Sequence, residues 1–361
     1  MNEWKSRHLS EVGLLKRGKS THRPRYAFHL YGGNTPFIQT GDVKAAAKFI
    51  TQYSQTYSEA GLKQSKLWKK GTLCITIAAN IAEIGILGFD ACFPDSVLGF
   101  IADEKNSNQD FVFYLLAYVK RELLAFADGS VQDNINLGTF EKIKFNFPQI
   151  EEQITIAEVL SSLDDKIDLL TRQNTTLEAL AQAYFRQWFV EENDNELMAV
   201  SKIAALDNNS VNPSREPLVL FYHYSIPAYD NAQTPVVELG KAILSNKFIV
   251  PPNTILVSKL NPITPRIWRI DKNAIPNSVC STEFQVLKPL NMRHYIFLYC
   301  LMRSSDVTST FAMSATGTSG SHQRIRPEYI LEIEVPEPDA EKLALFNEIC
   351  TPMMEKVKAN Q

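Results

Sequence analysis

Residues 150–192 read IEEQITIAEVLSSLDDKIDLLTRQNTTLEALAQAYFRQWFVEE, and the fold turns on how this stretch is parsed. Pro148 precedes it, and Glu151 and Glu152 stand in its first turn, where the positive end of a helix dipole favours acids. From Leu160 the seam positions step by three and four through Leu163, Ile167, Leu170, Asn174, Leu177, Ala181, Tyr184 and Trp188. That spacing is an a/d seam with neither Gly nor Pro inside it, and it predicts one helix from Ile150 to Glu192, roughly 60 Å long. Asn174 is the polar member of the seam, a kind of residue that fixes register and partner at some cost in stability. A long core helix inside one large domain would also give this pattern. A spacer between two domains fits better, because similar sequence lies on both sides.

Outward from the helix, the preceding lobe opens with turn signals at Gly18-Lys19-Ser20 and at Gly32-Gly33-Asn34-Thr35-Pro36. Short strands are expected at Phe37-Ile38-Gln39, from Thr72 to Ala79, and around Ile84-Gly85-Ile86-Leu87. A helix is expected from Phe111 to Phe126, and a half-buried strand at Ile143, Phe145 and Phe147. After Glu196 the plan returns. Asn253-Thr254-Ile255-Leu256 echoes Gly71-Thr72-Leu73-Cys74, and Phe297-Leu298-Tyr299 echoes Phe113-Tyr114-Leu115. Gly320-Ser321-His322-Gln323 echoes Gly129-Ser130-Val131-Gln132, and Leu331, Ile333, Val335 and Pro336 echo Ile143, Phe145, Phe147 and Pro148. Four echoes in one order at nearly constant separation outrank local propensity. A second amphipathic stretch (Leu343, Phe346, Ile349, Met353, Val357) then closes a plan of lobe, helix, lobe, helix. It is much shorter than the first, so a helix pair over the full length of the first is not expected.

A chain of 361 residues can bury a separate core in each lobe. Cysteines 74, 92, 280, 300 and 350 are scattered without a C-x-x-C pair, the usage of reduced cytosolic thiols. No apolar run nears the roughly 18 residues of a membrane span, and the N-terminus lacks a signal-peptide core, so a soluble intracellular protein is expected. The net charge of −3 hides a partition. Residues 1–149 carry 18 Lys and Arg against 14 acids, residues 150–196 carry 3 against 11, and residues 197–338 carry 13 against 11. Two mildly basic lobes flank an acidic rod. Residues 1–25 alone hold seven basic groups and two acids, a clustering that suits a polyanion as well as a solvated surface.

The run Phe147-Pro148-Gln149-Ile150-Glu151-Glu152-Gln153, with Ile156-Ala157, Leu160-Ser161-Ser162-Leu163-Asp164 and Lys166-Ile167, resembles the central conserved region of type I restriction-modification specificity (S) subunits. Its continuation, Asn174 to Leu180 and Ala181-Gln182-Ala183-Tyr184-Phe185-Arg186-Gln187-Trp188-Phe189, resembles it too. So do Gly129-Ser130-x-Gln132-x-Asn134-Ile135 and Leu256-Val257-Ser258-Lys259-Leu260-Asn261-Pro262. The resemblance implies an α/β (α+β) fold: two similar strand-rich target-recognition domains, separated by long helices that pair as an antiparallel coiled coil. Its boundaries here are 1–149, a spacer helix 150–196, 197–337 and a short helix 338–361. The implied partners are double-stranded DNA, two methyltransferase subunits and, through the complex, restriction/translocase subunits. S-adenosylmethionine, ATP and Mg would sit on those partners and no cofactor on this chain. The implied location is the prokaryotic cytoplasm, at the nucleoid.

The sequence has no G-x-x-x-x-G-K-[ST] loop, no G-x-G-x-x-G after a strand, and no Asn/Asp-Pro-Pro-Tyr/Phe motif. Its six histidines lack metal-ligand spacing. Gly317-Thr318-Ser319-Gly320-Ser321 departs from G-x-S-x-G at its last position and reads as a loop. DNA reading needs phosphate and base-edge contacts instead. The first lobe offers Lys16, Arg17, Lys19, Thr21, Arg23 and Arg25, with Gln39, Thr40 and Asp42 nearby; the second offers Lys259, Arg266, Arg269, His322, Gln323, Arg324 and Arg326. Helix pairing and docking fall to Leu160, Leu163, Ile167, Leu170, Asn174, Leu177, Tyr184 and Trp188. The competing readings are a coiled-coil scaffold that binds only proteins, and an orphan or truncated specificity module serving another effector.

Overall fold

A computed structural model of the chain describes residues 4–128, 138, 142–192, 196–273, 275–314 and 323–361. It divides into two compact units, Met1–Ile167 and Asp168–Gln361, with the division inside the long helix. In the first unit a five-stranded sheet runs in the order Gly13–Arg17, Val97–Ala102, Leu73–Thr76, Ile84–Leu87, Phe49–Ile50. A second sheet runs Gln55–Tyr57, Tyr31–Phe37, Ala91–Cys92, Leu67–Trp68, with Tyr31–Phe37 parallel to Ala91–Cys92. Alternation decides which core each side chain joins. On Leu73–Thr76, Leu73 and Ile75 pack with Phe111, Val112 and Leu116 of helix Gln109–Tyr118, while Cys74 packs with Trp68 and Phe93.

The second unit repeats this construction. Its four-stranded sheet runs Ala204–Asp207, Phe284–Pro289, Thr254–Ser258, Ile267–Ile270. Its other sheet runs Ser210–Val211, Lys247–Ile249, Ser278–Cys280, Leu220–Tyr224, Val236–Leu239, and Leu220–Tyr224 is parallel to Ser278–Cys280. Ile255 and Val257 face the core that holds helix Tyr295–Met302; Leu256 faces Tyr224, Trp268 and Phe284. Each unit also closes with a two-stranded ribbon, Lys5–Arg7 with Phe145–Phe147 and Leu197–Ala199 with Glu334–Pro336. The echo between the two glycine-serine segments lies outside the described residues.

The long helix is α-helical over Ile150–Arg186 and finishes in a π turn, Gln187–Glu191. Other expectations shift locally. The helix expected over Phe111 to Phe126 is two, Gln109–Tyr118 and Lys120–Asp128, because Val119 caps the first with ψ 7°. The turn expected at Gly32 to Pro36 lies inside strand Tyr31–Phe37, which bulges: both Tyr31 and Thr35 pair with Tyr57. Gly32 takes φ +82°, and a Cβ on Gly33 would stand 2.4 Å from the Tyr57 carbonyl oxygen, so these glycines serve the bulge. The strand expected at Phe37 to Gln39 ends at Phe37, and helix Thr40–Ala45 follows. Of the alternating residues, Leu331 lies in a helical turn, Tyr329–Glu332, Val335 in the ribbon strand, and Ile333 between the two. Among the described residues no helix is long and apolar enough to cross a membrane.

Candidate nucleic-acid interface

The basic segment after strand Gly13–Arg17 is a braced loop. The backbone N–H groups of Thr21 and His22 both donate to Gln64 Oε1 (2.6 and 3.0 Å), and Ser65 Oγ donates to the Lys19 carbonyl. Arg23 turns back to donate to the carbonyls of Ser20 and His22, and Arg25 forks onto both oxygens of Asp95 at 2.9 and 3.0 Å. Lys16, Arg17 and Lys19 stay exposed. Lys66 stands 3.6 Å above the Trp68 ring, where burial and the nearby Lys16 charge hold its pKa below the usual lysine value. The acidic and amide candidates are more occupied. Asp42 accepts from the Gln39 and Ser54 N–H groups, closing the first turn of helix Thr40–Ala45, and Gln39 Nε2 donates to Gln55. Asp42 is a capping residue here, and Thr40 is half-buried in the same turn.

In the second unit the candidate cations divide. Arg266 forks onto Asp230 at 2.6 and 2.8 Å, and those hydrogen bonds hold the Asp230 carboxyl below the usual carboxylate range. Arg324 forks onto Glu283. Arg269, expected as a DNA contact, is turned into the second unit. Its side chain is 8% exposed, donates to the Met354 carbonyl at 2.8 Å and lies over the Tyr299 ring, so it braces the C-terminal helix. Lys259 is half-buried, Arg326 is exposed, and Gln323 accepts the Asn261 N–H on its backbone. His322 lies outside the described residues.

The seam residues separate into two kinds. Ala181 enters the second unit's core with Phe346, Cys350 and Met354 of helix Ala340–Ala359, joined there by Phe185 and Phe189, which lie off the expected seam, and Leu177, Tyr184 and Trp188 pack beside them. The pair is antiparallel: Phe346 meets Phe189, Lys342 donates to the Glu192 carbonyl, and Asn360 Nδ2 donates to Asn174 Oδ1 at 2.8 Å. Asn174 thus ends the paired stretch. Glu178 adds a brace, accepting from Arg303 (2.9 Å) and Tyr299 (3.1 Å). In the first unit the helix is held by Gln153, buried among three backbone partners, and by Asp164, which accepts from Tyr114 at 2.6 Å. Between Ala157 and Ala181 no residue of the helix is buried; Leu163 is 55% and Ile167 62% exposed, while Leu160 and Leu170 are half-covered.

A family model described as the type I restriction modification DNA specificity domain matches residues 1–179. The MjaIX type I restriction enzyme specificity subunit of Methanocaldococcus jannaschii is 24% identical over 417 residues, covering 99% of this chain and 88% of the relative. The chain belongs to the type I restriction-modification DNA specificity family. The specificity subunit HindI of Haemophilus influenzae is 30% identical over 202 residues, 53% of this chain and 42% of that one. In fold, the S subunit from M. genitalium superposes with a TM-score of 0.60 at 15% identity, over 99% of this chain and 93% of that one. The protein is accordingly a DNA-specificity subunit. Three exposed residues outside the expected contact set lie in the loops that enter the parallel strands: Tyr26 and Phe28 in the first lobe and Arg215 in the second. A search for apolar side chains inside basic loops would have found the first two.

Proposed function

We propose that this specificity subunit reads a bipartite DNA target, one half-site per lobe, and docks two methyltransferase subunits on its helical region. The observation that carries this reading is duplication: two lobes share sheet order, a parallel strand pair and a closing ribbon, and one helix runs from the first unit into the second. Duplicate readers joined by a helix suit a target with two specified halves and an unread gap. In this reading residues 1–149 and 197–337 are the recognition domains and 150–196 and 338–361 the connecting helices. The chain supplies no chemistry of its own. S-adenosylmethionine, ATP and Mg serve methyltransferase and restriction/translocase partners, and the assembly works at the nucleoid in the cytoplasm. Lys16, Arg17, Lys19, Lys259 and Arg326 supply phosphate contacts, a role that fits exposed or half-exposed cations.

The test is a map of adenine methylation across the genome of cells carrying this chain and its partners. A motif of two fixed halves around an unread gap, lost when the chain is deleted, is the expected result; a single undivided motif would remove the two-lobe reading. A protein-only scaffold is separated by gel shift of the assembled complex on random duplex at low and moderate salt. Salt-sensitive binding beyond that of the methyltransferase alone is expected, because released counterions make phosphate contacts salt-dependent.

A further inference from the structure

Phe28 is 96% exposed in the first lobe and Leu218 is 80% exposed in the second. Large apolar residues scattered singly on a surface are ordinary. These two occupy one topological position. Each lies in the loop that leads into the strand pairing in parallel with its neighbour, Tyr31–Phe37 in one lobe and Leu220–Tyr224 in the other. Neither loop is slack. In the first, Ser58 Oγ donates to the His29 carbonyl (2.7 Å) and Ser58 N–H to the Leu30 carbonyl (2.9 Å). Gly61 packs so closely there that a Cβ would stand 2.3 Å from the Leu30 oxygen. In the second, Gly240 N–H donates to the Val219 carbonyl (2.8 Å) and Lys241 N–H to the Pro217 carbonyl (3.2 Å). A Cβ on Gly240 would stand 2.2 Å from the Glu216 oxygen. Both lobes thus use a glycine-bearing helical turn to clamp the backbone beside an apolar side chain that points to solvent. Exposed cations precede each one in sequence, Lys19 and Arg23 before Phe28 and Arg215 before Leu218.

We propose that Phe28 and Leu218 are base-contacting residues, each placing an apolar side chain against thymine methyl groups or exposed base faces in its own half-site. This rests on the DNA-reading role proposed above. These cations would hold the phosphates and bring the loop to the groove, and the apolar tip would discriminate between bases. Clamping matters because a tip that must order on binding loses affinity to that ordering.

The experiment selects duplexes from a randomised pool with the full chain assembled with its methyltransferase subunits, comparing parent, Phe28→Ala, Leu218→Ala and Tyr118→Ala. Tyr118 is a matched control, 85% exposed at a helix end with no such counterpart in the second lobe. The expected result is that Phe28→Ala relaxes one or two positions in one half-site only and Leu218→Ala does so in the other. Each should weaken the parent site about tenfold, with the salt slope unchanged because no phosphate contact is lost. Tyr118→Ala should select the parent motif. If both variants select the parent motif at parental affinity, the inference is overturned. It is overturned equally if the soluble variants fail to assemble with methyltransferase, which would make the tips protein contacts. A parent that selects no motif at all removes the DNA-reading role and the inference with it, a result distinct from either.

Discussion

His294 begins the buried helix Tyr295–Met302, and its Nδ1 has no hydrogen-bond partner among the described residues. Burial, aided by the adjacent Arg293 charge, holds its pKa below the ordinary value. The folded chain therefore keeps this ring neutral while the unfolded chain protonates it near pH 6.5. Its contribution is full above that pH and is lost as pH falls toward the folded value. His294→Gln should flatten the acid side of the stability curve, by at most about 1.4 kcal/mol per pH unit. Denaturant midpoints from about pH 7 to 5 measure this, and parallel curves for parent and variant would rule out His294 as the source. Glu178 makes a second case. Its removal to Ala leaves Arg303 and Tyr299 without their shared acceptor, an expected loss of about 1–3 kcal/mol, whereas Glu178→Gln should retain part of it. No loss for Glu178→Ala in chemical denaturation would mean that the hydrogen bonds carry nothing. Residue-scale signals also show the limit of sequence reading. Cations were legible, but the counterions of Arg25, Arg266 and Arg324 stand 70, 36 and 41 residues away and only folding brings them together.

The long helix is the element whose existence was plain from its heptads, and whose division of labour was not. Periodicity is identical for a seam that meets helix Ala340–Ala359 and a seam left open, so Leu163 and Leu177 read alike in sequence. The structure separates them: Leu177 packs beside the second unit's core, and Leu163 and Ile167 are exposed. Polar replacement of Leu163 and Ile167 together should thus change stability by within about 0.5 kcal/mol yet prevent assembly with methyltransferase subunits. Size-exclusion chromatography of the mixed subunits decides it; a complex of unchanged affinity would take the docking role from this stretch. Phe189→Ala acts through folding instead. Its ring meets Phe185, Phe297 and Phe346 in the core, so a loss of about 3–5 kcal/mol is expected in denaturation. A loss under a quarter of that would mean the aromatic cluster repacks.

At the scale of the molecule, duplication was legible because turn residues and alternating strands recur in order, while the second sheet of each lobe was not. Its strands are as short as Leu67–Trp68 and Ala91–Cys92, too brief for any periodicity to register, and their pairing is set by tertiary packing. Under the proposed bipartite reading, the length of the helix that joins the two lobes is a functional quantity. Residues Asp165 to Arg172 are where it can be changed, since Asp164 is tied to Tyr114 and Asn174 to Asn360. Duplicating Lys166-Ile167-Asp168-Leu169 adds about one turn, roughly 6 Å of rise and about 40° of rotation. One base pair of duplex is about 3.4 Å and about 35°, so the insertion should widen the unread gap by one or two base pairs with both half-sites unchanged. The measurement is the methylation motif of the variant beside that of the parent, with complex assembly verified for both. Half-sites that change while the gap stays fixed would mean that the helix does not set the spacing, and that the lobes find their half-sites by another constraint.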